Sequence, residues 1–256
     1  MKNIFLNMLN KNYFLVIIKK ILKRFEKDTS EKAKKWAKLN ATHSTASFCK
    51  LIDSKLYDEI LFDIKSIEKE ANIKLSKLNI LLGGGGNYTL LYFLIRKLKP
   101  NIVVETGVAA GWSSLSILRA LKKNDKGKLY SSDFPYFRLE NPEQYIGYLA
   151  KNEANKSDWY LDIRGDDVAI HEILKKIGNN DIDLFHYDSD KSYSGRDKAL
   201  KNLYPKINPK TVIIFDDIQD NLHFKNLTEK TKENYCIIDF KGKYLGILGI
   251  NFLIKK

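Results

Sequence analysis

Residues 102–113 read IVVETGVAAGWS, an apolar run that ends in an acid, then a glycine-rich turn, then small polar residues. Ile102, Val103 and Val104 have no polar residue between them, as expected of a parallel strand buried on both faces. Gly107 and Gly111 bracket a turn whose only bulky side chain is Val108. A ligand can approach such a backbone closely, and a side chain added at Gly107 is expected to enter the ligand's volume. Ser113 and Ser114 open a helix in which Leu115, Leu118 and Leu121 recur at amphipathic spacing. Strand, glycine turn and helix N-terminus in this order make a nucleotide-type binding corner.

Two cofactor classes compete for that corner. A dinucleotide fingerprint, G-x-G-x-x-G, would need glycines at Ala109 and Trp112, and a tryptophan fits a pyrophosphate turn poorly. The pattern from Glu105 through Gly107 and Ala109 to Gly111 instead resembles motif I of class I S-adenosylmethionine (SAM) methyltransferases, with Ala109 in place of the middle glycine. SAM carries an ammonium and a sulfonium and no phosphate, so a carboxylate suits its pocket. The resemblance implies that Glu105, Gly107, Gly111 and Ser113 line that pocket, with Ser113 near the methionine carboxylate. The competing readings are a structural turn in another α/β protein, a nicotinamide-dependent oxidoreductase, and a non-catalytic SAM-fold binding subunit.

Downstream strands end in acids. KLYSSD closes on Asp133, 22 residues past Gly111, the usual distance of an acid that binds a ribose diol. The strand from Trp159 to Ile163 runs into Arg164-Gly165-Asp166-Asp167. In the resembled fold that turn lies by the adenine, which implies a contact from Asp166; a helix N-cap at Asp166 or Asp167 is the alternative. IDLFHYDSDKSY (182–193) and TVIIFDDI (211–218) bring Asp188, Asp216 and Asp217 to the same carboxyl edge of a parallel sheet. Crowded carboxylates repel one another unless a cation or proton offsets them. Oxygen donors in that number suit Mg²⁺ or a similar divalent ion better than zinc. His186 reads as a satisfied core histidine, and His223 as structural, although its loop lies where an acceptor pocket would open.

Asp188-Ser189-Asp190-Lys191 followed by Tyr193 resembles the D-x-D-K segment of cation-dependent O-methyltransferases of the caffeoyl-CoA and catechol type. It also resembles the D-G-D-H-x-Y pattern of bacterial sugar O-methyltransferases, which carry His at the place of Lys191. The first resemblance implies Asp188 as a metal ligand and Lys191 as general base, with Asp216 and Asp217 as the remaining ligands. Asp217 then replaces the family's Asn. The implied chemistry is O-methylation of a small-molecule or sugar hydroxyl: Mg²⁺ lowers the hydroxyl's pKa, and Lys191, itself lowered by the cation, takes the proton. A solvated surface charge is the other reading of Lys191.

The 256 residues suffice for one α/β domain with an N-terminal extension, divided as 1–80 (helical extension) and 81–256 (SAM-binding domain). The predicted fold is a doubly wound, Rossmann-like sheet of seven mostly parallel strands near 102–105, 128–132, 159–163, 182–187, 211–215, 235–239 and 245–254. Lys241-Gly242-Lys243 turns the last two into a hairpin, making the seventh strand antiparallel. Helices are expected at Leu51–Ala71 and Tyr88–Leu98, and Gly83–Gly86 forms a loop that contacts SAM, hinges a lid or merely connects. Cys49 and Cys236 cannot build a disulfide framework, which predicts a reducing, cytoplasmic compartment. The formal charge of +13 points towards nucleic acid, but the lysines are spread through the chain without an aromatic-interleaved motif, so RNA methylation is a minor alternative. Phe14, Ile17, Ile18, Ile21, Leu22 and Phe25 recur at helical spacing opposite Lys19, Lys20, Lys23, Arg24 and Lys27. Residues 1–27 are therefore either an interfacial helix at an anionic membrane or a helix packed on the domain or on a second copy in a homo-oligomer.

Overall fold

The computed structural model describes residues 26–153, 158–250 and 253, with residues 3, 6, 7, 14, 17 and 18. A short helix, α1 (Ser30–Asn40), leads into the two-residue strand β1 (His43–Ser44) and the long helix α2 (Thr45–Leu75). Helix α3 (Tyr88–Leu98) precedes β2 (Ile102–Thr106), α4 (Trp112–Asn124) and β3 (Lys128–Ser132). The chain continues through β4 (Trp159–Asp162), α5 (Asp166–Ile177), β5 (Leu184–Tyr187), α6 (Tyr193–Leu203), β6 (Val212–Phe215) and α7 (His223–Thr231). It closes with the hairpin β7 (Tyr235–Phe240) and β8 (Lys243–Leu248).

The strands form one sheet in the order β1-β7-β8-β6-β5-β2-β3-β4. Every neighbouring pair is parallel except the two made by β8. From β2 the order runs to β3 on one side and to β5 on the other, so the crevice of a doubly wound sheet opens between β2 and β5 at their carboxyl ends. Side chains alternate across the pleat. Val103, Leu184, Val212 and Ile214 share one core with α2, α3 and α4. Ile102, Val104, Phe185, Tyr187, Ile213 and Phe215 share the other with α5, α6 and α7. The strands read as unbroken apolar runs because both faces are covered.

The sequence differs from the structure in local detail. An eighth strand exists: His43 and Ser44 extend the sheet beside β7, where His43 pairs with Ile238. Two residues without apolar alternation leave no pattern to detect. Helix α2 starts earlier than expected because Ser44 and Ser47 form a reciprocal capping box. It is interrupted at Asp53, whose extended backbone lets its carboxylate accept from the Leu56 amide at 3.0 Å and restart the helix. The antiparallel closing hairpin lies where Lys241-Gly242 predicts it.

Of the amphipathic N-terminal residues, Ile21, Leu22, Phe25, Lys19, Lys20, Lys23 and Arg24 lie outside the described residues. Ile17 is 2% exposed and packs against Phe134 and Phe137. The amide of Asn7 donates to the carbonyls of Phe137 and Leu139 at 2.8 and 3.2 Å. Glu26 accepts from the Tyr193 amide at 2.9 Å at the start of α6. These contacts favour packing over an interfacial helix, and no helix among the described residues is long and apolar enough to cross a membrane. Replacing Ile17 with Ala should cost about 2 kcal/mol of stability in denaturant titration, the low end for a buried aliphatic truncation. An unchanged midpoint, with salt-sensitive co-sedimentation on anionic vesicles, would favour the interfacial reading.

Candidate active site

The pleat that builds the two cores also gathers the site. Glu105 follows Val103 by two residues, His186 and Asp188 follow Leu184, and Asp216 follows Ile214, so all four side chains emerge on the face covered by α3 and α4. Register sets the neighbours: Glu105 lies opposite His186 on β5 and Ser131 on β3. Glu105 is fully buried, with one oxygen accepting from Ser114 at 2.6 Å and Ser131 at 2.9 Å. Its other oxygen has no hydrogen bond and faces His186 Nδ1 at 3.8 Å. On the far side of the ring, Nε2 lies 3.9 Å from Asp216 Oδ2. Both spacings exceed a hydrogen bond, so charge and not directed bonding links the three groups. Burial alone would lower the His186 pKa, but Asp216 and Glu105 outweigh it and raise it to about 10. His186 is thus a buried imidazolium between two carboxylates, and not a neutral core residue.

The turn after β2 is shaped by its neighbours. Gly107 has φ +86°, and a Cβ there would run into the carbonyl of Asp188. A side chain at Gly107 would therefore disrupt the protein's own contact with the β5 loop, and not only enter a ligand's volume as expected from the sequence. Ala109, in the place of the motif's middle glycine, takes the left-handed conformation at φ +48°, a cost of order 1 kcal/mol for a side-chain-bearing residue. Asp133 Oδ2 accepts from the amides of Val108 and Ala109 at 2.9 and 2.5 Å, clamping this turn. Gly111 caps α4 with φ +94°, and Ser113 lies buried in the helix's first turn, where the positive helix end suits an anionic group. Trp112 stacks on Tyr88, ring centroids 5.2 Å apart, and fills the space where a dinucleotide fold has its third glycine.

Neither Asp166 nor Asp167 caps α5; the cap residue is Gly165. Asp166 accepts from Ser132 at 2.6 Å and from Ser189 at 2.5 Å, tying the end of β3 to the loop after β5. Asp167 pairs with Lys198 at 2.7 Å.

A cleft of about 310 Å³ opens at the carboxyl ends of β5 and β6, with Asp188, Asp216 and Asp217 on its floor. Gly84, Gly85 and Gly86 form one wall, and Phe240, Lys241, Lys243 and Leu245 of the closing hairpin form the other. The glycine run is thus part of the site. A Cβ at Gly86 would lie 2.7 Å from Asp216 Oδ2, and one at Gly85 would meet Trp112 and Tyr88. Lys191 pairs with Asp188 and, at 3.0 Å, with Asp217. Lys243 reaches Asp217 at 3.4 Å. Burial, then the neighbouring Asp216, pushes Asp188 up to about 6. Against the opposing effect of burial, Lys191 holds Asp217 down to about 2. Burial alone would likewise lower Lys191, but Asp188, Asp217 and Asp216 raise it, so the ammonium keeps its proton in this arrangement.

Ligand atoms of His186, Asp188 and Asp216 lie within 4.8 Å of one another. Asp216 Oδ1 is buried with no partner, and an orphaned carboxylate oxygen beside a second carboxylate fits a hard divalent cation. His186 offers a ring nitrogen to that group when neutral and a counter-charge to the acids when protonated. Asp217, already engaged by two lysines, stands outside that group. Sequence reasoning missed one more residue. Arg196 on α6 is fully buried and donates to the carbonyls of Asp216 at 3.0 Å and Asp217 at 2.8 Å, pinning the turn that carries both acids.

Residues 104–218 match a family model described as a methyltransferase domain. No curated protein matches the chain. Among solved structures, an O-methyltransferase from Bacillus cereus in complex with SAH aligns with TM-score 0.54 at 13% identity, covering 72% of this chain and 90% of that one. The O-methyltransferase TomG from Streptomyces achromogenes, in complex with SAM, aligns with TM-score 0.54 at 14% identity over 71% and 88%. The SAH-bound methyltransferase PaMTH1 of Podospora anserina gives 0.51 at 13% over 71% and 86%. The fold is the one that these methyltransferases share.

His223 stands behind the site and does not line the cleft. Its ring meets Tyr193 edge-on at 5.1 Å, and burial pushes its pKa down to about 4 from 6.5. Between those values the unfolded chain binds a proton that the folded chain refuses, so stability falls as pH drops from 6.5 to 4. The loss is on the order of 3 kcal/mol at most. His223→Gln should flatten this part of the stability profile in urea titrations; an unchanged slope would mean that His223 is protonated in the folded protein.

Proposed function

We propose, from a methyltransferase domain carried on the O-methyltransferase fold, that this chain transfers the methyl group of SAM to a hydroxyl of a small molecule or sugar. One observation carries the reading: the glycine turn after β2 and the acidic cleft share a wall, since Gly107 abuts the backbone of Asp188. A donor bound at the first therefore presents its methyl group to an acceptor in the second. Gly107, Gly111, Ser113, Asp133 and Asp166 border the donor side, while Glu105 acts from beneath through Ser114. The acceptor oxygen attacks the methyl carbon, the carbon–sulfur bond breaks to release S-adenosylhomocysteine, and the hydroxyl proton leaves to a base. Positioning supplies most of the acceleration in such a transfer.

In this reading Asp188 takes the proton, and Lys191, expected from the sequence to be the base, positions it instead, because its own proton is held by the neighbouring acids. With its ammonium drawn to Asp188 and Asp217, Lys191 holds those two carboxylates together, and the carboxylate of Asp188 faces the cleft. A divalent cation bound by Asp188 and Asp216, without the Asp217 that the sequence pattern implied, would add Lewis-acid activation of the acceptor hydroxyl. The unpartnered Asp216 Oδ1 supports such a site. The nicotinamide alternative is disfavoured by Trp112, which occupies the pyrophosphate turn.

Asp188→Asn should lower S-adenosylhomocysteine release about 100-fold, the scale of a lost proton acceptor, while leaving SAM affinity within about threefold, about 0.7 kcal/mol of binding energy. EDTA should inhibit and Mg²⁺ or Mn²⁺ restore turnover. Full activity in EDTA, with Lys191→Ala more damaging than Asp188→Asn, would establish a metal-free mechanism that runs through the lysine.

A further inference from the structure

The cleft is electrically polarised along its depth. At the floor, each carboxylate already faces a cation: Asp188 meets Lys191, Asp217 meets Lys191 and Lys243, and Asp216 lies 3.9 Å from the buried His186. The rim carries the opposite charge. Lys241 sits at the tip of the β7–β8 hairpin in the left-handed conformation, φ +55°, with its ammonium 5.2 Å from the centre of the Phe240 ring. Among the described residues it meets no carboxylate. Lys243 is two-thirds exposed and reaches Asp217 only at 3.4 Å, a contact that is easily exchanged. Across the cleft, the amides of Gly84, Gly85 and Gly86 meet no acceptor among the described residues, and a Cβ at Gly84 would meet nothing within 4 Å. One rim thus offers exposed ammonium groups and the other backbone N–H groups that meet no acceptor among the described residues, the two donor types that bind oxyanions.

We infer that this rim is an anion subsite, so that the acceptor carries a phosphate or carboxylate at the end opposite the hydroxyl that is methylated. The inference rests on the O-methyltransferase reading and deepens it to an acceptor class. Lys241, Lys243 and the glycine amides hold the anionic end, while the acids of the floor repel it. Only the hydroxyl end of such an acceptor then reaches Asp188 and Asp216. A neutral polyol feels no such gradient and is not oriented. The cleft's volume of about 310 Å³ matches a compact acceptor such as a sugar phosphate.

The test is calorimetric titration of the intact protein with inorganic phosphate, glucose 6-phosphate and glucose, each with and without SAM. We expect saturable binding of phosphate and of glucose 6-phosphate, weakening with ionic strength, and no saturable binding of glucose. The double variant Lys241→Gln with Lys243→Gln should weaken both anions at least tenfold and leave SAM affinity unchanged, and the corresponding double arginine variant should retain anion binding. No phosphate binding, equal binding of glucose and its phosphate, or an undiminished affinity in the glutamine variant would overturn the subsite. Lysine-dependent phosphate binding in a protein that fails to bind SAM would uphold the subsite and reject the methyltransferase reading instead.

Discussion

Asp188, Asp216 and Asp217 close two adjacent parallel strands, and parallel register leaves them no means of moving apart. Taking one carboxylate out of water costs several kcal/mol unless charge or hydrogen bonds compensate. Most of the unusual residues of this protein answer to that constraint. Lys191 joins Asp188 to Asp217, His186 stands as an imidazolium between Asp216 and Glu105, and Arg196 fastens the carbonyls of the Asp216–Asp217 turn from beneath. Glu105 is held in place by Ser114 and Ser131. The charge pattern is continuous from the glycine turn to the acidic cleft.

Packing supports the same arrangement. In the glycine run after α2, a Cβ at Gly85 would strike Trp112 and Tyr88, and one at Gly86 would strike Asp216. The Tyr88–Trp112 stack fixes the start of α3 against the start of α4, and Asp133 clamps the turn that leads into α4. Residues 43–75 belong to the same sheet and core as the rest, through β1 at the sheet edge and Phe48, Ile60, Ile64 and Ile67 on the helix beside it.

Much of the fold is legible in the sequence because its signals are local. The apolar run at 102–104, the turn at Gly107–Gly111, the acids that end each strand and the Lys241-Gly242 hairpin are all contained within a few residues. What escapes is what depends on distant pairing or on burial. Glu105 and His186 become neighbours only through the β2–β5 register, which joins segments about eighty residues apart. Arg196 looks like a surface residue because arginine usually is one; only the closure of α6 over β6 buries it. The exception is the pleat. Glu105, His186 and Asp216 each follow an apolar strand residue at a spacing of two, and Asp188 follows His186 at the same spacing, a pattern that marks a shared face once the strands are accepted as neighbours.

Donor identity tests the account most directly. Isothermal titration of the purified protein with SAM and with NAD separates the two cofactor classes that the glycine turn admits. The account predicts saturable binding of SAM that S-adenosylhomocysteine displaces, and no heat with NAD. Saturable NAD binding together with no response to SAM would contradict it.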